Sequence, residues 1–184
     1  YSASLTKDAI MIRSQFMPIV LGTFLVLGLP GLVLAQKPQA KCGPDHAILY
    51  KRAVKLLDNA EKQLTAGYTA EAKSKAKEAN SLFTILQKEC GPQQADRALT
   101  DQEIQQEAIN QKLAADELAQ AERLIKSAEE KTQKAVKLET TQPDVYLKYQ
   151  REAKAEFEQA HKRSIKSEIY ALRNQQMVFR WLSK

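Results

Sequence analysis

CGPDHAILYKRAVKLLDNAEKQLTAGYTAEAKSKAKEANSLFTILQKECGP, residues 42–92, decides how this chain folds. The tripeptide Cys-Gly-Pro opens it at Cys42-Gly43-Pro44 and closes it at Cys90-Gly91-Pro92. Between the copies lie two helical patterns of similar length. The first carries Ile48, Leu49, Ala53, Leu56, Leu57, Ala60 and Leu64 at three- and four-residue spacing, which is the signature of an amphipathic helix. Gly67 ends it as a left-handed cap. Thr69 is placed to cap the second helix, with Glu71 in its first turn. Ala72, Ala76, Ala79, Leu82, Phe83 and Leu86 carry the second stripe up to Cys90, where Gly91-Pro92 is expected to stop the helix. Two antiparallel helices joined by a tight turn bring the start of the first beside the end of the second. Cys42 and Cys90, the only two cysteines, sit at those ends, so the stretch reads as a helical hairpin closed by a disulfide. Metal ligation or a reactive thiol is set aside here, because the pair lacks CxxC spacing and neighbouring histidines.

Upstream, residues 11–36 have the three parts of a secretory signal. Arg13 is the positive start, Pro18 to Leu34 the apolar stretch, and Val33-Leu34-Ala35 the small-residue cleavage pattern. Cleavage near Ala35-Gln36 makes the mature protein periplasmic or secreted, where a disulfide persists. An uncleaved membrane anchor is the alternative, since the run approaches the length of a span. Residues 1–10 precede the first methionine, Met11, and are read as an upstream extension. Residues 36–184 then form a single all-α domain.

Downstream, good helix formers dominate, and no segment alternates apolar and polar residues as a strand would. Thr100 with Glu103 has the spacing of a capping box and opens a third helix. Within it Ala114, Leu118, Ala121, Ile125, Ala128, Thr132 and Ala135 alternate four and three apart, the pattern of a coiled-coil seam. Thr141-Gln142-Pro143-Asp144 is the only punctuation before a fourth helix. The helices are expected at about 45–66, 70–90, 100–139 and 143–182. Folding the last two back at Thr141 sets Leu118 opposite Ile165, Ile125 near Phe157 and Ile104 opposite Phe179. The expected fold is therefore a short, disulfide-closed helical hairpin followed by a long antiparallel one, an elongated bundle or coiled coil.

The whole chain is at +6, but the charge is segmented. Residues 37–92 hold ten Lys and Arg against six Asp and Glu, residues 93–142 seven against ten, and residues 143–184 nine against five. An acidic third helix thus lies between basic neighbours, which uses part of the charge internally. Export argues against nucleic acid as partner. The basic surface then suits another envelope protein or an anionic cell-surface polymer or lipid, and the seam of helices three and four suits a homo-oligomer.

Chemistry is sparse. The two histidines, His46 and His161, stand apart, and haem-attachment, zinc-protease, nucleophile-elbow and phosphate-loop motifs are missing from the sequence. Glu158 and His161 have the Glu-x-x-His spacing of di-iron bundles, but once only. The expectation is a non-enzymatic protein with no cofactor, no catalytic residues and no metal ligands. Tyr146, Tyr149, Arg173, Phe179, Arg180 and Trp181, the aromatic and basic residues of helix four, form the candidate partner surface. Core packing of the segment from Met177 to Leu182 is the competing reading, with Trp181 its exposed exception.

Two resemblances bear on function. Leu64-x-x-Gly67-Tyr68-x-x-Glu71-Ala72, followed by Ala76 and Ala79, resembles the hairpin of tetratricopeptide repeats. It is also similar to Ala-rich helical domains of bacterial envelope proteins, over roughly residues 45–90. Leu99-Thr100-Asp101-Gln102-Glu103 resembles the Leu-Thr-x-x-Gln motif of small periplasmic stress chaperones. The expected role is a periplasmic protein–protein or envelope-surface interaction module. A periplasmic holding chaperone, then a metal or haem carrier, are the alternatives.

Overall fold

The computed structural model describes residues 42–95 and 97–183, with α1 at Pro44–Thr65, α2 at Thr69–Ala95, α3 at Asp101–Leu138 and α4 at Pro143–Val178. The upstream extension, the signal sequence and its cleavage point lie outside the described residues. Among the described residues there is no strand, and no helix is long and apolar enough to cross a membrane. The chain is all-α: a short hairpin closed by the Cys42–Cys90 disulfide, then a long antiparallel hairpin.

The α1–α2 turn follows from one glycine. Gly67 has φ of +89°, where a Cβ is strained. That conformation lets the Tyr68 amide donate to Gln63 O at 2.9 Å and the Gly67 amide to Leu64 O at 3.2 Å, which satisfies two carbonyls at the end of α1. The first intrahelical bond of α2 runs from the Ala72 amide to Tyr68 O, so Thr69 lies inside the first turn and not at the cap. The far end of α2 also departs from expectation, because the helix continues through Gly91-Pro92 to Ala95. A proline disfavours helical backbone at the residue before it partly through that residue's Cβ. Gly91 has none, so the last turn forms at the loss of a single amide donor.

Ala53, Leu57, Ala60 and Leu64 of α1 meet Ala72, Ala76, Ala79, Phe83 and Leu86 of α2 in one buried cluster. Ile165, Ile169 and Leu172 of α4 complete it, with Phe179 and Leu182 beyond the helix end. Fully burying a side chain of the Leu, Ile or Phe class contributes about 1.5–3 kcal/mol, so this three-helix cluster dominates the stability. Ile48 is not part of it: that stripe position points to solvent, and Leu49 packs at the margin instead. At the other end α4 stops at Val178, short of the expected 182, and a 3-10 turn at Arg180–Ser183 tucks Leu182 back into the cluster.

The α3 helix opens on the expected capping box: the Glu103 amide donates to Thr100 Oγ1 at 3.4 Å, and the Thr100 amide to Glu103 Oε2 at 2.7 Å. Among the described residues α3 packs along α4, and the 3-10 turn beyond α4 reaches it through Arg180. The register is the one a fold at Thr141 implies. Arg163 meets Glu117, Ser167 donates to Ala114 O, Asn110 donates to Asn174, and Arg180 meets Glu103.

The face presented is the expected one only in part: Ala114, Ala121, Ala128 and Ala135 lie in the seam as expected, and Leu118 and Ile125 do not. The seam runs through Glu103, Asn110, Glu117, Ala121, Ala128 and Ala135, which are buried, with Ala114, Leu124, Lys131 and Leu138 half-buried between them. That is the same four-three alternation, rotated so that Leu118 and Ile125 flank it at 47% and 39% exposure and Ile104 lies outside. A helix with one neighbour buries one narrow stripe. Ala121, Ala128 and Ala135, with Ala153 and Ala160 buried on α4, permit close approach, while Glu117 and Lys131 find opposite charges across it. The wider side chains are pushed to the flank.

Candidate interaction surface

Of the six residues expected to form a partner surface, the structure brings together only those at the end of α4, and it occupies them internally. Phe179 is fully buried in the core and is therefore not a surface residue. Arg173 donates to Asp58 Oδ1 at 2.9 Å and also pairs with Glu61, both on α1. Arg180 pairs with Glu103 Oε1 at 2.7 Å. Trp181 is half-buried, with the Arg97 guanidinium 4.1 Å from its ring centroid. Tyr146 and Tyr149 are half-buried near the opposite end of α4, some 24 residues or about 36 Å from Arg173.

A shallow groove of about 360 Å³ lies beside these arginines, lined by Tyr50, Asn110, Arg173, Gln176 and Arg180 among others. Its polar groups bind one another. Tyr50 donates to Gln176 O at 3.1 Å, Asn110 donates to Asn174, and both arginines are ion-paired. Burial pushes the Tyr50 hydroxyl above the ordinary phenol range, against a smaller pull from Arg180. These are contacts that hold α1, α3 and α4 together.

What α3 and α4 leave uncovered lies further along. The buried cluster takes α4 residues only from Ile165 onward, so Pro143 to about Ala160 lies outside it, against α3. At 1.5 Å per residue that overhang is about 27 Å long. In an antiparallel pair, positions one step past the seam on each helix share one side of it. Leu118, Ile125 and Val136 of α3 and Phe157 of α4 are such positions, with Val136 61% and Phe157 40% exposed. Ile125 and Phe157 stand opposite each other in the register set by Lys131–Glu156 and Glu117–Arg163. The result is an apolar stripe along one side of the overhanging hairpin. Sequence spacing flagged Leu118 and Ile125, but assigned them to the seam.

The charges that enter the seam of this hairpin are paired across it. Glu117 accepts from Lys166 Nζ at 2.6 Å and Arg163 Nη1 at 2.8 Å; burial acts to raise its pKa, but these bonds outweigh burial and hold it below the usual carboxylate range. Lys131 bridges Glu156 at 2.6 Å and Glu152 at 3.3 Å. Glu168, on the side of α4 nearer α2, is raised by burial against the weaker pull of Lys73 and Lys77. His161 is lowered by burial and by Lys73.

The disulfide end of the short hairpin holds a constellation that sequence spacing did not suggest. His46, in the first turn of α1, accepts from the Gly43 amide at Nδ1, 3.1 Å away, and places Nε2 2.7 Å from Glu89 Oε2. The signal in the sequence was positional: His46 and Glu89 each lie within four residues of a cysteine.

The chain matches no protein-family model, no curated protein and no solved structure.

Proposed function

We propose that this is an exported, non-enzymatic helical module that works by protein–protein contact at the cell envelope, and that its contact surface is the apolar stripe on the overhanging hairpin. One observation carries the reading. Ile125, Val136 and Phe157 are 39–61% exposed on a segment that lies outside the buried cluster, with Leu118 at its edge, while Glu117 and Lys131 in the seam are paired across it. Single exposed apolar residues are ordinary, but an aligned set on a projecting element is what an interaction site requires. The Ala seam supports the same reading, since a two-helix hairpin of this kind leaves room for a third or fourth helix to complete a bundle.

The test is a stripe variant, Leu118→Ser with Ile125→Ser and Phe157→Ser. Its helix content and disulfide should match the parent, because the core lies elsewhere. Crosslinked complexes recovered from the native envelope should disappear. Complexes that persist unchanged in the variant would place the contact surface elsewhere. Suppression of client aggregation by the parent, lost in the variant, would make the partner an unfolded chain and the protein a holding chaperone.

A further inference from the structure

The disulfide is one of two states open to the same three side chains. Sequence spacing set metal ligation aside because no histidine neighbours the cysteines, but the fold supplies one. Cys42 Sγ, Cys90 Sγ and a ring nitrogen of His46 all lie within 4.8 Å of one another. Tetrahedral zinc holds sulfur at about 2.3 Å and imidazole nitrogen at about 2.0–2.1 Å, which spaces such ligands roughly 3.4–3.8 Å apart. The three donors are therefore close to a coordinating arrangement before any rearrangement of backbone. Cys90 is fully buried, and Cys42 and His46 are half-buried, so the site is largely removed from water.

The imidazole is also oriented for the purpose. Because Nδ1 accepts the Gly43 amide, the ring proton belongs on Nε2, where it is donated to Glu89. Metal-ligating histidines characteristically donate their second nitrogen to a carboxylate, which fixes the tautomer and raises the basicity of the first. Nδ1 is thus the ring's acceptor nitrogen, and a cation bound there takes the lone pair that now accepts the Gly43 amide.

We infer that, once the Cys42–Cys90 bond is reduced, Cys42, Cys90 and His46 bind a single thiophilic divalent cation of the zinc type, with Glu89 positioning the imidazole. The reduction takes two electrons from a dithiol or phosphine. With a dithiol the S–S bond breaks, both sulfurs leave as thiols, and the reductant becomes a disulfide. Binding the cation then releases the two thiol protons, because the ligands are thiolates. Water fills the fourth position. The oxidised chain, with both sulfurs bonded to each other, offers no such set. The hairpin thereby has a covalent closure under oxidising conditions and a metal closure under reducing ones.

Cobalt(II) titration tests this, since cobalt stands in for zinc and reports its ligands by absorbance. The full chain is reduced anaerobically with a phosphine, which leaves as its oxide with an oxygen from water, and cobalt is added alone. One cobalt per chain should appear with thiolate-to-metal charge transfer and the strong visible bands of tetrahedral coordination. Zinc should bleach both, and oxidised protein should show neither. His46→Ala keeps both thiols and should lose the tetrahedral bands. Glu89→Gln should weaken binding by roughly 10–100-fold. Absence of charge transfer in the reduced parent, or equal binding in either variant, overturns the proposal.

Discussion

Replacing Ile165 and Leu118 by alanine, singly and together, separates the two faces of the long hairpin. Ile165 is 2% exposed and belongs to the cluster shared with α1 and α2. Ile165→Ala removes three methylene equivalents at about 0.8 kcal/mol each, to which a cavity adds its own cost. The total should fall in the range of about 2–5 kcal/mol. Leu118 stands opposite the same stretch of α4 but is 47% exposed, so about half of that transfer term is already forgone. Alanine is also the slightly better helix former. Leu118→Ala should therefore cost below about 1 kcal/mol. Leu118 lies outside the buried cluster that holds Ile165, and the double variant should be additive within about 0.3–0.5 kcal/mol. Urea unfolding of the oxidised protein, followed by helical circular dichroism, measures all three. A Leu118→Ala cost equal to that of Ile165→Ala, or a coupling above about 1 kcal/mol, would refute the assigned seam.

Further outcomes follow from the staple and the titrating groups. Cys42→Ser with Cys90→Ser, which opens a loop with a sequence separation of 48, should cost about 4 kcal/mol by loop entropy while leaving the helical signal in place; thiol labelling of the parent should find neither cysteine. Glu117 has a lowered folded pKa, so its contribution is complete above the unfolded value near 4.3 and is lost as pH falls through the folded one. Glu117→Gln should cost about 1 kcal/mol at neutral pH and nothing in strong acid, seen as a flatter acid limb of stability against pH. Glu168 has the opposite sign: its folded pKa is raised, so stability falls as pH climbs from the unfolded value to the folded one. Glu168→Gln should raise the melting temperature at pH 7, and the gain should vanish below about pH 4.

The short hairpin was legible because its signals agree. Gly67, the cysteine positions and the two apolar stripes each demand the same antiparallel pair, and the structure contains it. The register of the long hairpin was legible for a related reason: Pro143 leaves little choice of turn, and the turn determines which residues stand opposite. Its face was not. Two four-three alternations share Ala114, Ala121, Ala128 and Ala135 on α3, one completed by the apolar Leu118 and Ile125, the other by Glu117, Leu124 and Lys131. Hydrophobicity alone selects the first. Cross-helix pairing of Glu117 with Lys166 and of Lys131 with Glu156 selects the second, and those pairs depend on what α4 presents. At the aromatic-basic end of α4 the core-packing reading holds for Phe179 and Leu182, while the partner-surface reading fails for Arg173 and Arg180, which acquire partners once α1 and α3 are folded against them. His46 and Glu89 lie 43 residues apart, and only the closed hairpin joins them.

The central claim is that the overhanging hairpin is the contact surface, and a photo-crosslinking residue at Ile125 tests it most directly. The comparison position is Arg151, which is exposed on the same overhang but away from the stripe. Irradiation of cells carrying the full chain should give a discrete higher-mass adduct from position 125 and none from position 151. Equal adducts from both positions, or none from 125, would contradict the account.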